Sequence, residues 1–233
     1  MKFQDDISCR MRAILIDWMI EVHLKFNLLP ETLYLSVNIM DRFLVKQKIK
    51  RDKFQLLGVT SMLIASKFEE IYPPEIRDFV YVTEKAYSKE EITLMEYNVL
   101  CLLNFDLIFV SPYRLLERYN FVCYGDEKSF FISQYILELV LIEYKLNLNI
   151  PSIKASAALY ISRKLLKIQP SWPKVLEIAS GITENSLRNF AKELCNMIDL
   201  SHKMSLKSCL NKFSHSKFHE VSKIIQTIIS EKK

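Results

Sequence analysis

Glycine is nearly missing from this chain of 233 residues: there are three, Gly58, Gly125 and Gly181, and no two lie near each other. No phosphate-cradling loop of the P-loop or dinucleotide-binding type can be written without clustered glycines. Any nucleotide chemistry must therefore belong to a partner. Cysteine is sparse too. Cys9, Cys101, Cys123, Cys195 and Cys209 are scattered and form no C-x-x-C pair, which excludes a zinc cluster and a disulfide framework. Cys101 and Cys195 fall within apolar helical patterns and read as small core residues. No apolar run reaches the roughly 18 residues of a membrane span, and no secretory signal opens the sequence, so the expectation is a soluble intracellular protein without a membrane partner.

Catalytic groupings are absent as well. His215 and His219 have the i, i+4 spacing of some zinc ligands, but no third ligand or catalytic glutamate stands nearby, and His23 and His202 are isolated. Glu69 and Glu70 are adjacent, so a helix would point them in different directions. Nothing pairs a nucleophile with a base, and the expectation is a protein that is not an enzyme and needs no metal or cofactor. The net charge of +5 is mild and its cations interleave with anions except in roughly the last 30 residues. A nucleic-acid partner is not expected from so diffuse a distribution.

What is present is helix. The apolar periodicity predicts helices at about 11–27, 31–47, 52–70, 75–81 and 88–103, then about 111–124, 127–147, 152–167, 172–180 and 183–203, with a partly helical tail. Prolines or glycine punctuate them at Leu29-Pro30, Tyr72-Pro73-Pro74, Ser111-Pro112, Ile150-Pro151, Gln169-Pro170 and Gly181. Five helices followed by five more suggest a duplication. Phe54 to Phe68 and Ile153 to Leu166 are apolar on nearly every face, as a helix surrounded by others must be. Ile64-Ala65-Ser66-Lys67 leading to Ile71-Tyr72-Pro73 is echoed by Ile161-Ser162-Arg163-Lys164 leading to Ile168-Gln169-Pro170, an offset of about 97. Ser88 with Glu91, and Thr183 about 95 residues later, read as caps of the two fifth helices.

Several blocks carry a family resemblance. Met11-Arg12-Ala13-Ile14-Leu15-Ile16-Asp17-Trp18 is followed by Glu31-Thr32-Leu33-Tyr34, Asp41-Arg42-Phe43-Leu44 and Gln55-Leu56. Ala65-Ser66-Lys67-Phe68-Glu69-Glu70-Ile71-Tyr72-Pro73-Pro74-Glu75 and Leu103-Asn104-Phe105-Asp106-Leu107 complete the series. Together they resemble the first cyclin box of mitotic A/B-type cyclins over about 100 residues. The second half resembles the second box more loosely, through Ser171-Trp172-Pro173 and Ser216-Lys217-Phe218. The resemblance implies an all-α fold of two tandem five-helix cyclin boxes, at 8–108 and 109–205, with a C-terminal tail at 206–233. It does not choose between A and B types.

By resemblance the function is that of a regulatory subunit that binds and activates a cyclin-dependent serine/threonine kinase in the cell cycle. The first box would press on the C-helix of the kinase's small lobe through Lys67, Phe68, Glu96, Leu100, Phe105 and Leu107. A shallow patch capturing Arg-x-Leu segments of substrates or inhibitors maps to Met11, Ile14, Leu15, Trp18, Glu21, Phe54 and Gln55. Phe54 replaces the leucine usual in A-type cyclins, which leaves the peptide preference open. The family's helix ahead of the first box, which adds kinase contacts, is not found in the ten residues before Met11, so either the sequence is a truncated piece or that contact is absent. The resemblance alone places the protein in the nucleus and cytoplasm. A cyclin-fold transcription factor gripping promoter DNA is the rival, but it should carry basic clusters in the second repeat, where Arg163-Lys164 is too little.

Beside the resemblance, the residues have their own reading. Eleven of the sixteen residues from Met11 to Phe26 are apolar, more than one buried stripe requires. Met11, Ile14, Leu15 and Trp18 share a face that periodicity alone leaves open as core or as exposed patch, with Glu21 one turn on to meet an arginine. Arg12 and Asp41 lie on inward stripes, where a charge is costly unless paired, and an Arg12–Asp41 ion pair joining helices 1 and 2 satisfies both. Lys67 can complement the carbonyl end of its helix, yet that leaves the neighbouring Phe68 unexplained.

Overall fold

The start of nearly every helix in the computed structural model, which describes residues 3–201 and 205–230, is written in a capping side chain or a proline. Ser8 Oγ accepts from the Met11 amide (3.2 Å) to open α1 (Cys9–Lys25). Pro30 opens α2 (Pro30–Lys46), and the Glu70 carboxylate reaches back to accept from the Leu29 amide (2.7 Å) and the Thr32 hydroxyl. A short 3-10 turn leads into α3 (Phe54–Glu69), and α4 (Ile76–Val82) follows behind a Glu75/Asp78 box. The reciprocal Ser88/Glu91 capping box starts α5 (Lys89–Leu102).

The second series opens the same way. Prolines begin α6 (Pro112–Val122) and α9 (Pro151–Leu165), and Asp126 caps α7 (Glu127–Ile142). Between α7 and α9 runs one turn, α8 (Tyr144–Asn147). Then come α10 (Lys174–Ser180), closed by left-handed Gly181, and α11 (Glu184–Ser201), where the Thr183 hydroxyl accepts from the Ser186 amide (3.4 Å). Two further helices, α12 (Ser208–Lys212) and α13 (Val221–Ser230), end the described chain. No strand occurs among the described residues, so the fold is all-α. The chain separates into two compact units, Met1–Phe109 and Val110–Lys233.

Each unit is built around one helix buried on all sides. In the first, every residue of α3 from Leu56 to Ser66 is buried, and α2, α5, α1 and α4 pack around it. Gly58 permits a close crossing: a Cβ there would stand 2.9 Å from Leu15 Cδ1. In the second, α9 is buried from Lys154 to Arg163 and is surrounded by α7, α6 and α11. Ser162 Oγ donates to the Ser129 carbonyl (2.7 Å), so small side chains let α7 and α9 approach and satisfy each other's polar groups. Trp172 lies edge-on to Tyr160 and its indole N–H donates to the Ile182 carbonyl (2.9 Å), tying the approaches to α10 and α11.

Three expectations are corrected. The helix predicted at 127–147 breaks at Glu143, whose backbone is extended and whose carboxylate accepts from the Lys145 amide (3.4 Å), giving α7 and α8. Cys101 and Cys195 are exposed, not core. The buried line of α5 runs through Ile92 and Val99, and that of α11 through Leu187, Ala191, Leu194 and Ile198; each cysteine sits to one side of it. The segment after 205 is not an appendage, because Cys209, Phe213, Phe218, Val221 and Ile225 are buried. It also supplies Lys212, whose ammonium meets the Glu138 carboxylate of α7 at 2.7 and 2.9 Å with both side chains essentially inaccessible. Gln134 of α7 donates to the same carboxylate (3.2 Å). Helix 183–203 as predicted runs past Ser201, and His202 lies outside the described residues.

Candidate functional site

The last turn of α3 and the middle of α5 bring Lys67 and Glu96 together. Lys67 Nζ donates to both carboxylate oxygens, at 2.7 and 2.8 Å. The lysine side chain is half exposed while Glu96 retains 15% of its accessibility, so the outward charge of the pair is chiefly the cation. Phe68 follows directly and is 53% exposed, and Leu100, one turn along α5 from Glu96, is half-buried. Burying rather than hydrating such an aromatic ring is favourable, so an exposed ring beside a fixed charge is a candidate contact surface.

Phe105 is placed by the end of α5. Asn104 and Phe105 both take left-handed backbone angles, and the Phe105 amide donates to the Leu100 carbonyl (2.9 Å), reversing the chain so that the ring points out with 65% exposure. The reversal is held by α2: Arg42 pairs with Asp106 at 3.0 Å, and Lys46 Nζ donates to the Leu102 carbonyl (3.2 Å). Leu107 follows, half-buried. The six residues expected at a kinase interface thus occupy the end of α3, the second half of α5 and the turn beyond, with a direct Lys67–Glu96 bond that the sequence did not reveal.

The second expected site lies between α1 and the start of α3. A depression of about 370 Å³ is lined by Met11, Ile14, Leu15, Trp18, Phe54 and Gln55, and by Arg51 of the 3-10 turn. Ile14 is half exposed on its rim, and Met11, Trp18 and Gln55 are half-buried. Leu15 and Phe54, at 6% and 5% exposure, are floor and not open surface, because Leu15 packs into the space left by Gly58. Glu21 is exposed further along α1 and does not line the depression. Arg51 was missed: it precedes α3 in a segment where apolar periodicity carries no information.

The Arg12 guanidinium makes a two-pronged bond to Asp41, with Nε to Oδ1 at 2.7 Å and Nη2 to Oδ2 at 2.6 Å. Arg12 is fully buried and Asp41 partly so, and the pair joins α1 to α2 beneath the depression's helix. Nearby, Lys53 bonds Glu91 at 2.7 Å, and this contact holds the Glu91 carboxyl below its ordinary value, with the Ser88 amide adding to the effect.

Among the described residues no three His, Cys, Asp or Glu side chains are grouped to hold a metal, and no helix is long and apolar enough to cross a membrane. His219 meets Glu127 at 3.0 Å. Arg163 is buried, donating to the Ser171 and Pro170 carbonyls at 3.2 and 3.1 Å, so it is spent inside the second unit and does not serve as a phosphate contact.

Residues 1–108 match the family described as "Cyclin, N-terminal domain", and residues 110–227 match "Cyclin, C-terminal domain". The chain belongs to the cyclin family. Its curated relatives include proteins named "G2/mitotic-specific cyclin-B", in keeping with the mitotic resemblance of the first box. That of Hydra viridissima is 42% identical over 223 residues, 96% of this chain and 57% of the relative. That of Dictyostelium discoideum is 38% identical over 224 residues, 96% of this chain and 51% of the relative. The chain thus spans about half to three-fifths of the length of such relatives. Among solved structures, a viral cyclin from herpesvirus saimiri superposes with a TM-score of 0.74 at 22% identity, covering 84% of this chain and 89% of the other. A chain in the crystal structure of the yeast RNA Pol II CTD kinase complex CTDK-1 gives 0.71 at 14% identity, covering 91% and 78%. At these identities the structures support the fold alone.

Proposed function

We propose that this protein is a non-catalytic regulatory subunit of a cyclin-dependent serine/threonine kinase, acting in mitotic control, and that it recruits substrates carrying Arg-x-Leu segments. The observation that carries the reading is the surface of α3 and α5 where Phe68, next to the fixed Lys67–Glu96 pair, and Phe105, in the turn after α5, are both exposed. A kinase C-helix laid against it would bury both rings and shift the helix into its active position. The α1/α3 depression supports the second part. Its buried Leu15 and Phe54 floor and half-open Met11, Ile14 and Trp18 walls form a concave apolar seat for a leucine side chain. Arg51 at its edge disfavours a second arginine close by, so the arginine of a docked segment would lie toward the Glu21 end of α1. We place this activity in the nucleus and cytoplasm, which imaging of a fluorescent fusion tests.

The direct experiment is affinity purification of the tagged chain from extract of its own cells, followed by a protein-kinase assay on the eluate. Kinase activity is expected with the wild-type chain and not with Phe68→Asp, a change at an exposed position that leaves the core intact. An eluate without kinase activity, or equal activity from both proteins, would contradict the proposal.

A further inference from the structure

The duplicated architecture places a second groove where the first unit has its Lys67–Glu96 pair. Lys164 ends α9 as Lys67 ends α3, and the equivalent caps Ser88 and Thr183 bring Ala191 to the position of Glu96 and Cys195 to that of Leu100. The two faces differ in charge. In the first unit the carboxylate of Glu96 neutralises the lysine; in the second its place is taken by Ala191, which is buried. The α9/α11 face then adds Arg188 and Lys192. Glu184 is the carboxylate at this end of the groove, and it is shared between the Tyr160 hydroxyl (2.9 Å) and Arg188 (3.7 Å). Lys164 lies over the Tyr160 ring, 4.5 Å from its centre. Three cations thus stand around one already engaged carboxylate.

Between them is a depression of about 420 Å³ with an apolar base of Ile161, Leu165 and Ala191 and an edge formed by Cys195. Its volume accommodates one large apolar side chain. A phosphate backbone would meet the cations and leave this base unused, whereas a peptide can serve both parts. We infer that the α9/α11 groove of the second unit is a docking site for an acidic amphipathic protein segment, with one aliphatic or aromatic side chain seated on Ile161, Leu165 and Ala191 and flanking Asp or Glu residues meeting Lys164, Arg188 and Lys192. The complementary charge is the selecting feature, steering association and suppressing basic competitors. The groove is built from residues of the second unit alone, and the inference does not depend on the surface proposed for the kinase.

The test is a randomised twelve-residue peptide display selection on the full chain, followed by fluorescence anisotropy with the selected peptides. Expected binders carry Asp or Glu around one Leu, Phe or Trp, and lose about tenfold or more in affinity for Lys164→Glu with Lys192→Glu and as salt is raised. They bind Lys67→Glu with Glu96→Lys as tightly as wild type, and they slow iodoacetamide labelling of exposed Cys195 but not of exposed Cys101. A circular-dichroism melt of the Lys164/Lys192 variant, both positions being exposed, verifies that it is folded. Selection without an acidic consensus, affinity unchanged in the folded variant, or unchanged labelling of Cys195 would overturn the inference. So would a duplex DNA probe that binds this groove more tightly than any selected peptide.

Discussion

Arg12 is the largest fully buried side chain among the described residues, and it is charged. Its two-pronged bond to Asp41 compensates the desolvation, and removing Asp41 takes that bond from a guanidinium that water does not reach. Asp41→Ala should therefore cost about 3–5 kcal/mol, read as a loss of midpoint in urea titration. A change below about 1 kcal/mol would mean that water reaches the pair as it does on a surface. Glu91 makes a different kind of contribution, dependent on pH. Its folded carboxyl sits below the ordinary value of 4.5, first through Lys53 and then through the Ser88 amide. A carboxyl lowered by folding stabilises the fold above its unfolded pKa and ceases to do so as pH falls through the folded one. The melting temperatures of wild type and Glu91→Gln should differ at neutral pH and converge in acid below 4.5; a gap that persists in strong acid would show that the carboxylate charge is not its source. Residues of this sort divide cleanly in what the sequence discloses. Arg12 and Asp41 break apolar stripes and so announce a partner, whereas nothing in the spacing of Lys67 and Glu96 announces the bond between them.

At the scale of elements, caps and prolines made the helices of both repeats legible, because N-terminal signals are local and each is satisfied within a turn. What was hidden depends on contacts distant in sequence. Glu138 lies inside an apolar helix and Lys212 in a basic tail, 74 residues apart, and neither position hints at the other. The same pair explains why the packing of the partly helical tail could not be read: it is α7 that receives its apolar residues. Lys212→Ala should destabilise the second unit by about 3–5 kcal/mol in thermal or urea unfolding, while Lys212→Met with Glu138→Leu should cost far less, since paired buried charges replaced by apolar groups are often near neutral. Equal losses for the single and double variants would show that the ion pair itself, and not the stranded carboxylate, carries the stability. The α1 face was legible as apolar and amphipathic, but its division into floor and rim was not. Periodicity cannot tell Leu15 from Ile14 in exposure; the absent side chain of Gly58 on another helix decides it.

For the whole molecule, the surface proposed for a kinase and the groove proposed for substrates both lie in the first unit but on different helix ends. Groove variants must spare the floor, so Met11→Ala with Ile14→Ala is the suitable change, since Leu15 is core. Phosphorylation of a substrate carrying an Arg-x-Leu segment should fall by about tenfold, equivalent to 1.4 kcal/mol, while a short peptide lacking it is phosphorylated as before. Equal losses toward both would make the face structural. The central claim, activation through the α3/α5 ends, is tested most directly by exchanging the partners of the exposed pair, Lys67→Glu with Glu96→Lys. The exchange keeps an ion pair within the chain but turns its outward cation into an anion. Assayed with the purified kinase recovered alongside the native chain, the exchanged protein should melt as wild type does and show activation reduced by about thirtyfold or more, as when a charge contact at an interface is lost. Full activation by the folded, exchanged protein would contradict the assignment of this surface to the kinase.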